Sequence, residues 1–205
     1  MEAAFVWRGS VACGILIRSF HGLESELRIP LFAVWSLGLS VLTFAGVGST
    51  GVKDFSQPEY RLRLFHLHTG QRLDIVYRRG DRYLADALTQ LDEYLRDHRT
   101  GAVRHYDPKV FDLLHDLDSN LGRPEGEIDV VCGYRSPWSN EFLRTHGHGV
   151  AQHSLHMQAM AIDIRMPGVP TSRVRDAALA MQRGGVGYYA KSDFVHVDVG
   201  RVRRW

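Results

Sequence analysis

The chain is poor in cysteine, in lysine and in net charge, and each shortage excludes something. Its 205 residues hold two cysteines, Cys13 and Cys132, too few for a disulfide framework. A net charge of +2, with only 23% charged residues, excludes the strong basic field expected of a nucleic-acid partner. It also excludes a largely disordered chain, because 44% of the residues are hydrophobic. Lys53, Lys109 and Lys191 are the lysines among 25 basic residues, so arginine carries the positive charge. We attach no function to that bias. The chain is long enough to bury a core without covalent staples.

One long apolar run is present, in the front quarter. IPLFAVWSLGLSVLTFAGV, residues 29–47, carries no charge and follows Arg28, and it approaches the roughly 20 residues that span a bilayer. The small residues up to Gly51 suit the end of a signal segment, yet no A-x-A cleavage site follows. Export follows from either a cleaved signal or an uncleaved anchor, and a buried core helix is the third reading. Residues 1–51 are therefore read as a signal or anchor region, 52–59 as a linker and 60–205 as the working domain. If the front is removed, Cys132 is left as a small buried apolar residue.

In the working domain, RLRLFHLHTGQRLDIVYRRG alternates on both sides of Thr69-Gly70, which predicts a β-hairpin. Leu84, Leu88, Leu91 and Leu95 then recur at helical spacing. Asp107-Pro108 starts a second helix, whose apolar face is Val110, Leu113, Leu114 and Leu117 and which Gly122 closes. EIDVVC, residues 127–132, reads as a short buried strand and 139–145 as a short helix. Residues 171–183 form a third long helix, and strands near 186–189 and 194–199 finish the chain. The predicted class is α+β, a small, mostly antiparallel sheet with flanking helices.

Eleven histidines invite a metal, and most can be set aside. His66 and His68 share one strand face and could chelate, but no third ligand lies near them in sequence. His146 and His148 sit in the THGHG loop, and His21, His98, His105 and His115 have no partner pattern. SLHMQAMAIDI differs, because His156 and Asp163 are seven apart and HVD follows at His196 to Asp198. Two imidazoles and a carboxylate give a tetrahedral zinc three ligands and leave one position for water. The absence of thiolate argues against a structural, cysteine-type zinc.

The order GYRSPWSN, SLHMQAMAIDI, GGVGYY, FVHVDVGRVRRW resembles the murein endopeptidase K type of zinc peptidases, from about Tyr60 to Trp205. These are bacterial cell-wall enzymes related to the zinc D-Ala-D-Ala carboxypeptidases and, in fold, to the signalling domain of hedgehog proteins. The resemblance implies that His156, Asp163 and His196 bind one Zn2+. It implies that Arg135 takes a substrate carboxylate and that Ser154 supports the first histidine at the substrate side. Two carboxylates are rivals for the catalytic base: Asp193, three positions before the last histidine, and Asp198 of the H-x-D motif. The alternative role of Asp193 is a solvated turn residue, and that of Asp198 is orientation of a zinc-bound histidine. His153 is a candidate for oxyanion stabilisation or a surface residue. Ala159 stands where relatives often have glycine, which costs little unless that backbone needs a positive φ.

The expected activity is zinc-dependent hydrolysis of peptidoglycan stem-peptide or cross-link amides, by an exported monomer of the periplasm or envelope that meets the membrane only through its N-terminal segment. The alternatives are a D,D-carboxypeptidase, a zinc-containing module that binds cell wall without cutting it, and an intracellular metallopeptidase.

Overall fold

The computed structural model describes residues 57–147 and 150–205. The apolar run 29–47, most of the linker, Cys13, His21 and His148 lie outside the described residues.

Strand β1 (Glu59–His66) turns back into β2 (Arg72–Arg79) as the alternation predicts. Gly70 makes the reversal, at φ 68°, with its N–H donating to the His66 carbonyl at 2.8 Å. A two-residue strand β3 (Arg82–Tyr83) follows, then helices α1 (Ala85–Tyr94) and α2 (Lys109–Asn120). The Asp107 carboxylate accepts the Lys109 N–H at 3.0 Å, so the Asp-Pro pair starts α2 as read.

The chain then returns as β4 (Glu127–Cys132), parallel to β1, with Leu64 facing Ile128. Helix α3 (Pro137–His146) starts on Ser136, whose hydroxyl accepts the Ser139 N–H at 3.2 Å. After a 3-10 turn (Leu155–Gln158) come β5 (Ala161–Arg165), α4 (Thr171–Met181), β6 (Gly185–Tyr189), β7 (Phe194–Asp198) and β8 (Arg203–Arg204).

The described residues are α+β, but the expectation of a small, mostly antiparallel sheet is corrected. All eight strands join one mixed sheet in the order β3-β2-β1-β4-β5-β7-β6-β8, and β1–β4 and β6–β8 are parallel pairs. The physical reason is the crossover through α1 and α2, which is long enough to bring β4 back in the direction of β1.

One sheet face is apolar. Ile162 and Ile164 of β5 stand opposite Val197 and Val195 of β7, and Val130 of β4 faces Ile164. All five are buried with Leu62 and Leu64 of β1 and with Phe111, Leu114 and Leu117 of α2. Helices α1, α2 and α4 pack on this sheet, against β2, β1 and β6–β7 respectively. Each such side chain contributes roughly 1.5–3 kcal/mol by leaving water. The alternate residues of the same strands therefore point to the other face, where the site lies.

Candidate metal centre and its cleft

Strand register assembles one row across that second face. Cys132 of β4 is opposite Asp163 of β5, Asp163 is opposite His196 of β7, and His196 is opposite Gly187 of β6. The first pairing depends on a register shift between Val130 and Cys132, a bulge that re-aims the end of β4. His156 is brought above the row by the 3-10 turn. Ser154 caps that turn, its hydroxyl accepting the His156 N–H at 3.3 Å, and Ala159 ends it at φ 54°. The positive φ on which the cost of alanine depends is therefore present.

The row and the turn bring the three predicted ligands together. His156 Nε2 is 3.1 Å from Asp163 Oδ1 and 3.0 Å from His196 Nδ1, and His196 Nδ1 is 2.9 Å from Asp163 Oδ1. The opposite ring nitrogens decide the tautomers. His156 Nδ1–H donates to the Gly133 carbonyl at 2.8 Å, and His196 Nε2–H donates to Asp198 at 3.1 Å. Each imidazole thus turns a lone pair inward, toward a carboxylate oxygen.

Three buried acceptor atoms this close need a positive charge among them, either a proton or a metal. Burial opposes the charge on His156, but the Asp163 carboxylate and Cys132 carry its imidazole up to about 10. Burial would raise Asp163, and the two histidines instead hold it well below the carboxylate range. A tetrahedral ion at 2.0–2.2 Å sets its donors roughly 3.3–3.6 Å apart, so the observed triangle fits one after expanding by a few tenths of an ångström. Cys132 Sγ belongs to a looser group, within 4.8 Å of donor atoms on His156 and Asp163. We take His196 as the third donor, because its nitrogen lies much closer to both. The Cys132 thiol receives Arg135 Nη2 at 3.5 Å, and burial, pushing its pKa up, is outweighed by His156 and Arg135.

Arg135 is held at the edge of the centre. Its backbone N–H donates to the His156 carbonyl at 3.2 Å, Nη1 donates to Asn140 Oδ1 at 3.4 Å, and Nη2 is 3.8 Å from Asp163 Oδ2. Its buried Nε has no hydrogen-bond partner among the described residues. A guanidinium with a spare donor suits a carboxylate guest. A cavity of about 310 Å3 opens over the centre, its lining including Arg135, His153, Ser154, Tyr189, Phe194 and Trp205.

Neither rival base lines that cavity. Asp198 is fully buried and accepts Gly185 N–H at 2.9 Å, Gly200 N–H at 2.8 Å and both Arg203 Nη groups at 3.1 and 2.7 Å, besides His196. Burial raises its pKa, and these donors more than reverse the effect. Asp193, at φ 52°, accepts the Thr171 hydroxyl at 2.9 Å.

The other histidines stay apart. His68 and His98 stack at 4.1 Å and 10°, so their in-plane lone pairs cannot converge on one ion, and His66 Nδ1 accepts the His68 N–H at 3.2 Å. His146 is exposed and stacks on Phe142. Sequence reasoning missed Asp97, whose carboxylate accepts the Ser136 N–H at 2.8 Å and so anchors the Arg135 segment from 39 residues away. It also missed Trp205. The available signal was GGVGYY, since glycine inside a strand marks a close approach.

A family model described as peptidoglycan L,D-endopeptidase MepK matches residues 55–205. A Haemophilus influenzae protein named "Probable peptidoglycan L,D-endopeptidase MepK" is 38% identical over 171 residues, covering 83% of this chain and 89% of that protein. The Escherichia coli "Peptidoglycan L,D-endopeptidase MepK" is 37% identical over 171 residues, covering 83% and 93%. No solved structure matches the chain.

Proposed function

The chain belongs to the family of the peptidoglycan L,D-endopeptidase MepK, and from that premise we propose that it is a zinc-dependent peptidase that cuts amide bonds of peptidoglycan cross-links in the cell envelope. The observation that carries the metal reading is the triangle of inward acceptors on His156, Asp163 and His196, with edges of 2.9–3.1 Å. These three residues would hold the ion. Bound there, zinc supplies Lewis-acid polarisation of the scissile carbonyl and lowers the pKa of water.

The chain's own residues supply the rest. Arg135, which lines the cavity, takes a free carboxylate of the stem peptide with its guanidinium, fixing which amide lies over the centre. Ser154 holds the turn that presents His156. Asp198 acts through His196, keeping the proton on Nε2 and the Nδ1 lone pair inward. It is a positioning residue here, since it has no free access to the cavity. Asp193 is a turn residue held by Thr171. His153, which lines the cavity, is our candidate for carrying a proton between water and the leaving amine.

The fold we assign is that of the hedgehog and D-Ala-D-Ala peptidases, supported by the order of the site motifs along the α+β chain. Residues 60–205 are the peptidase domain, 52–59 its linker and 29–47 the segment that directs export. No described helix is long and apolar enough to cross a membrane. The protein works as a periplasmic monomer on stem peptides.

Purified cross-linked muropeptides, digested with zinc-loaded protein and with a chelated control, test this by mass analysis. Cleavage of an L,D amide with release of a new amine end, only with zinc, is expected. Binding without new amine ends would instead identify a non-catalytic cell-wall module, and loss of a terminal residue alone would identify a carboxypeptidase.

A further inference from the structure

The cleft lining combines two chemistries: the cation Arg135, and the aromatic residues Tyr189, Phe194 and Trp205, with the Tyr189 and Phe194 rings stacked at 4.4 Å. Trp205 is the outlying member in sequence, yet its placement is the most constrained. Its backbone pairs with β6, Trp205 N–H to the Val186 carbonyl at 3.2 Å and Tyr188 N–H to the Trp205 carbonyl at 3.1 Å. The indole N–H donates to the Tyr189 hydroxyl at 2.9 Å, and the Arg203 guanidinium sits 5.0 Å from the ring centroid.

Gly187 is the seat of that ring. A Cβ at Gly187 would lie 2.7–2.8 Å from Cε2, Cζ2 and Nε1 of the indole, closer than carbon atoms approach. Gly187 is also the cross-strand partner of His196, so the ring lies on the end of the row that carries the metal donors, 5.1 Å from the His196 ring. Nevertheless Trp205 is 51% exposed. An indole fixed by backbone, side chain and seat, with half its surface open beside a cavity, has the form of a contact surface and not of a core residue.

We infer that Trp205 is a substrate-contacting specificity residue: its exposed face packs on the aliphatic side chain of the amino acid whose free carboxylate Arg135 takes. The ligand class is a peptide residue that combines a carboxylate with a chain of methylenes, read by the cation and the indole together. The inference rests on the peptidase reading above and adds which part of the substrate the aromatic wall recognises.

The test uses full-length, zinc-loaded protein and a purified cross-linked muropeptide, with KM, kcat, zinc content and calorimetric affinity measured for wild type, Trp205→Ala, Trp205→Phe and Gly187→Ala. Trp205→Ala should raise KM and weaken calorimetric binding by about tenfold, the scale of one lost aromatic contact, with zinc stoichiometry unchanged. Trp205→Phe should recover most of that loss. Gly187→Ala keeps the indole but unseats it, and should reproduce the KM increase. Unchanged KM and affinity in Trp205→Ala, or loss of zinc in step with activity, would overturn the inference; the second outcome would make the ring a support for His196. Absence of turnover by wild type would count against the peptidase reading alone, and calorimetry would still decide the wall.

Discussion

Asp198 and Asp193 are five residues apart, and their surroundings assign them opposite weights. Asp198 holds the His196 tautomer from a buried position with donors on both oxygens. Asp198→Asn should weaken zinc binding 10–100-fold, read by competition with a chromophoric chelator, while the fold persists. Asp193→Asn, which leaves an amide to meet Thr171, should stay within twofold of wild type in zinc affinity and kcat. The reverse order would return the base to Asp193. Ala159 gives a second residue-level prediction. It is fully buried in the left-handed region at φ 54°, where a Cβ costs roughly 1–2 kcal/mol. Glycine relieves that strain and returns some of it as unfolded-state entropy, so Ala159→Gly should stabilise by about 0.5–1 kcal/mol in denaturant melts. The residues of the acceptor triangle were legible because they carry chemistry in a motif. Trp205 and Asp97 were not, since their importance comes from what reaches them in space.

Among the elements, the β1–β2 hairpin was readable from alternation around Thr69-Gly70, and β4 from its buried run. The parallel pairing of β1 with β4 was not, because the register of Leu64 with Ile128 spans 64 residues and leaves no local period. Strands β3 and β8, of two residues each, are too short to show one. Strand β5 was hidden because AIDIR is a continuous buried run on a strand that serves the core with Ile162 and Ile164 and the site with Asp163. The hairpin end also carries a pH dependence. His66 is fully buried against His68, Tyr94 and His98, and burial, with the neighbouring His68 and Arg96, lowers its imidazole to about 4. The unfolded chain takes up that proton near 6.5, ahead of the folded one, so stability is complete above about 6.5 and is lost as the pH falls toward about 4. The loss at His66 should be of order 2 kcal/mol. Denaturant midpoints of wild type and His66→Phe should therefore converge between pH 6.5 and 4.5, and parallel curves would place the titration elsewhere.

At the scale of the molecule, one apolar face gathers α1, α2 and α4 and leaves the other face of the same strands free for chemistry. The near-neutral charge fits the recognition we propose, which is local, through one largely buried arginine and the acceptor triangle, without a global field. The triangle also ties the 3-10 turn to β5 and β7, so the ion should act as a structural brace. A ligand that binds only the folded state stabilises it by about 4 kcal/mol at a thousandfold excess over its dissociation constant. For a domain of this size each kcal/mol moves Tm by about 2–4 °C. Zinc-loaded protein should therefore melt roughly 8–16 °C above the chelated form, while His156→Ala and Asp163→Ala should melt at the same temperature with and without chelator. The mutants separate the brace from general effects of the chelator, because they keep β4, β5 and β7 but break the acceptor triangle. Equal shifts in wild type and mutants would mean that the stabilising ion sits elsewhere, whereas a shift confined to wild type ties the stability of the sheet to the atoms that we propose perform the hydrolysis.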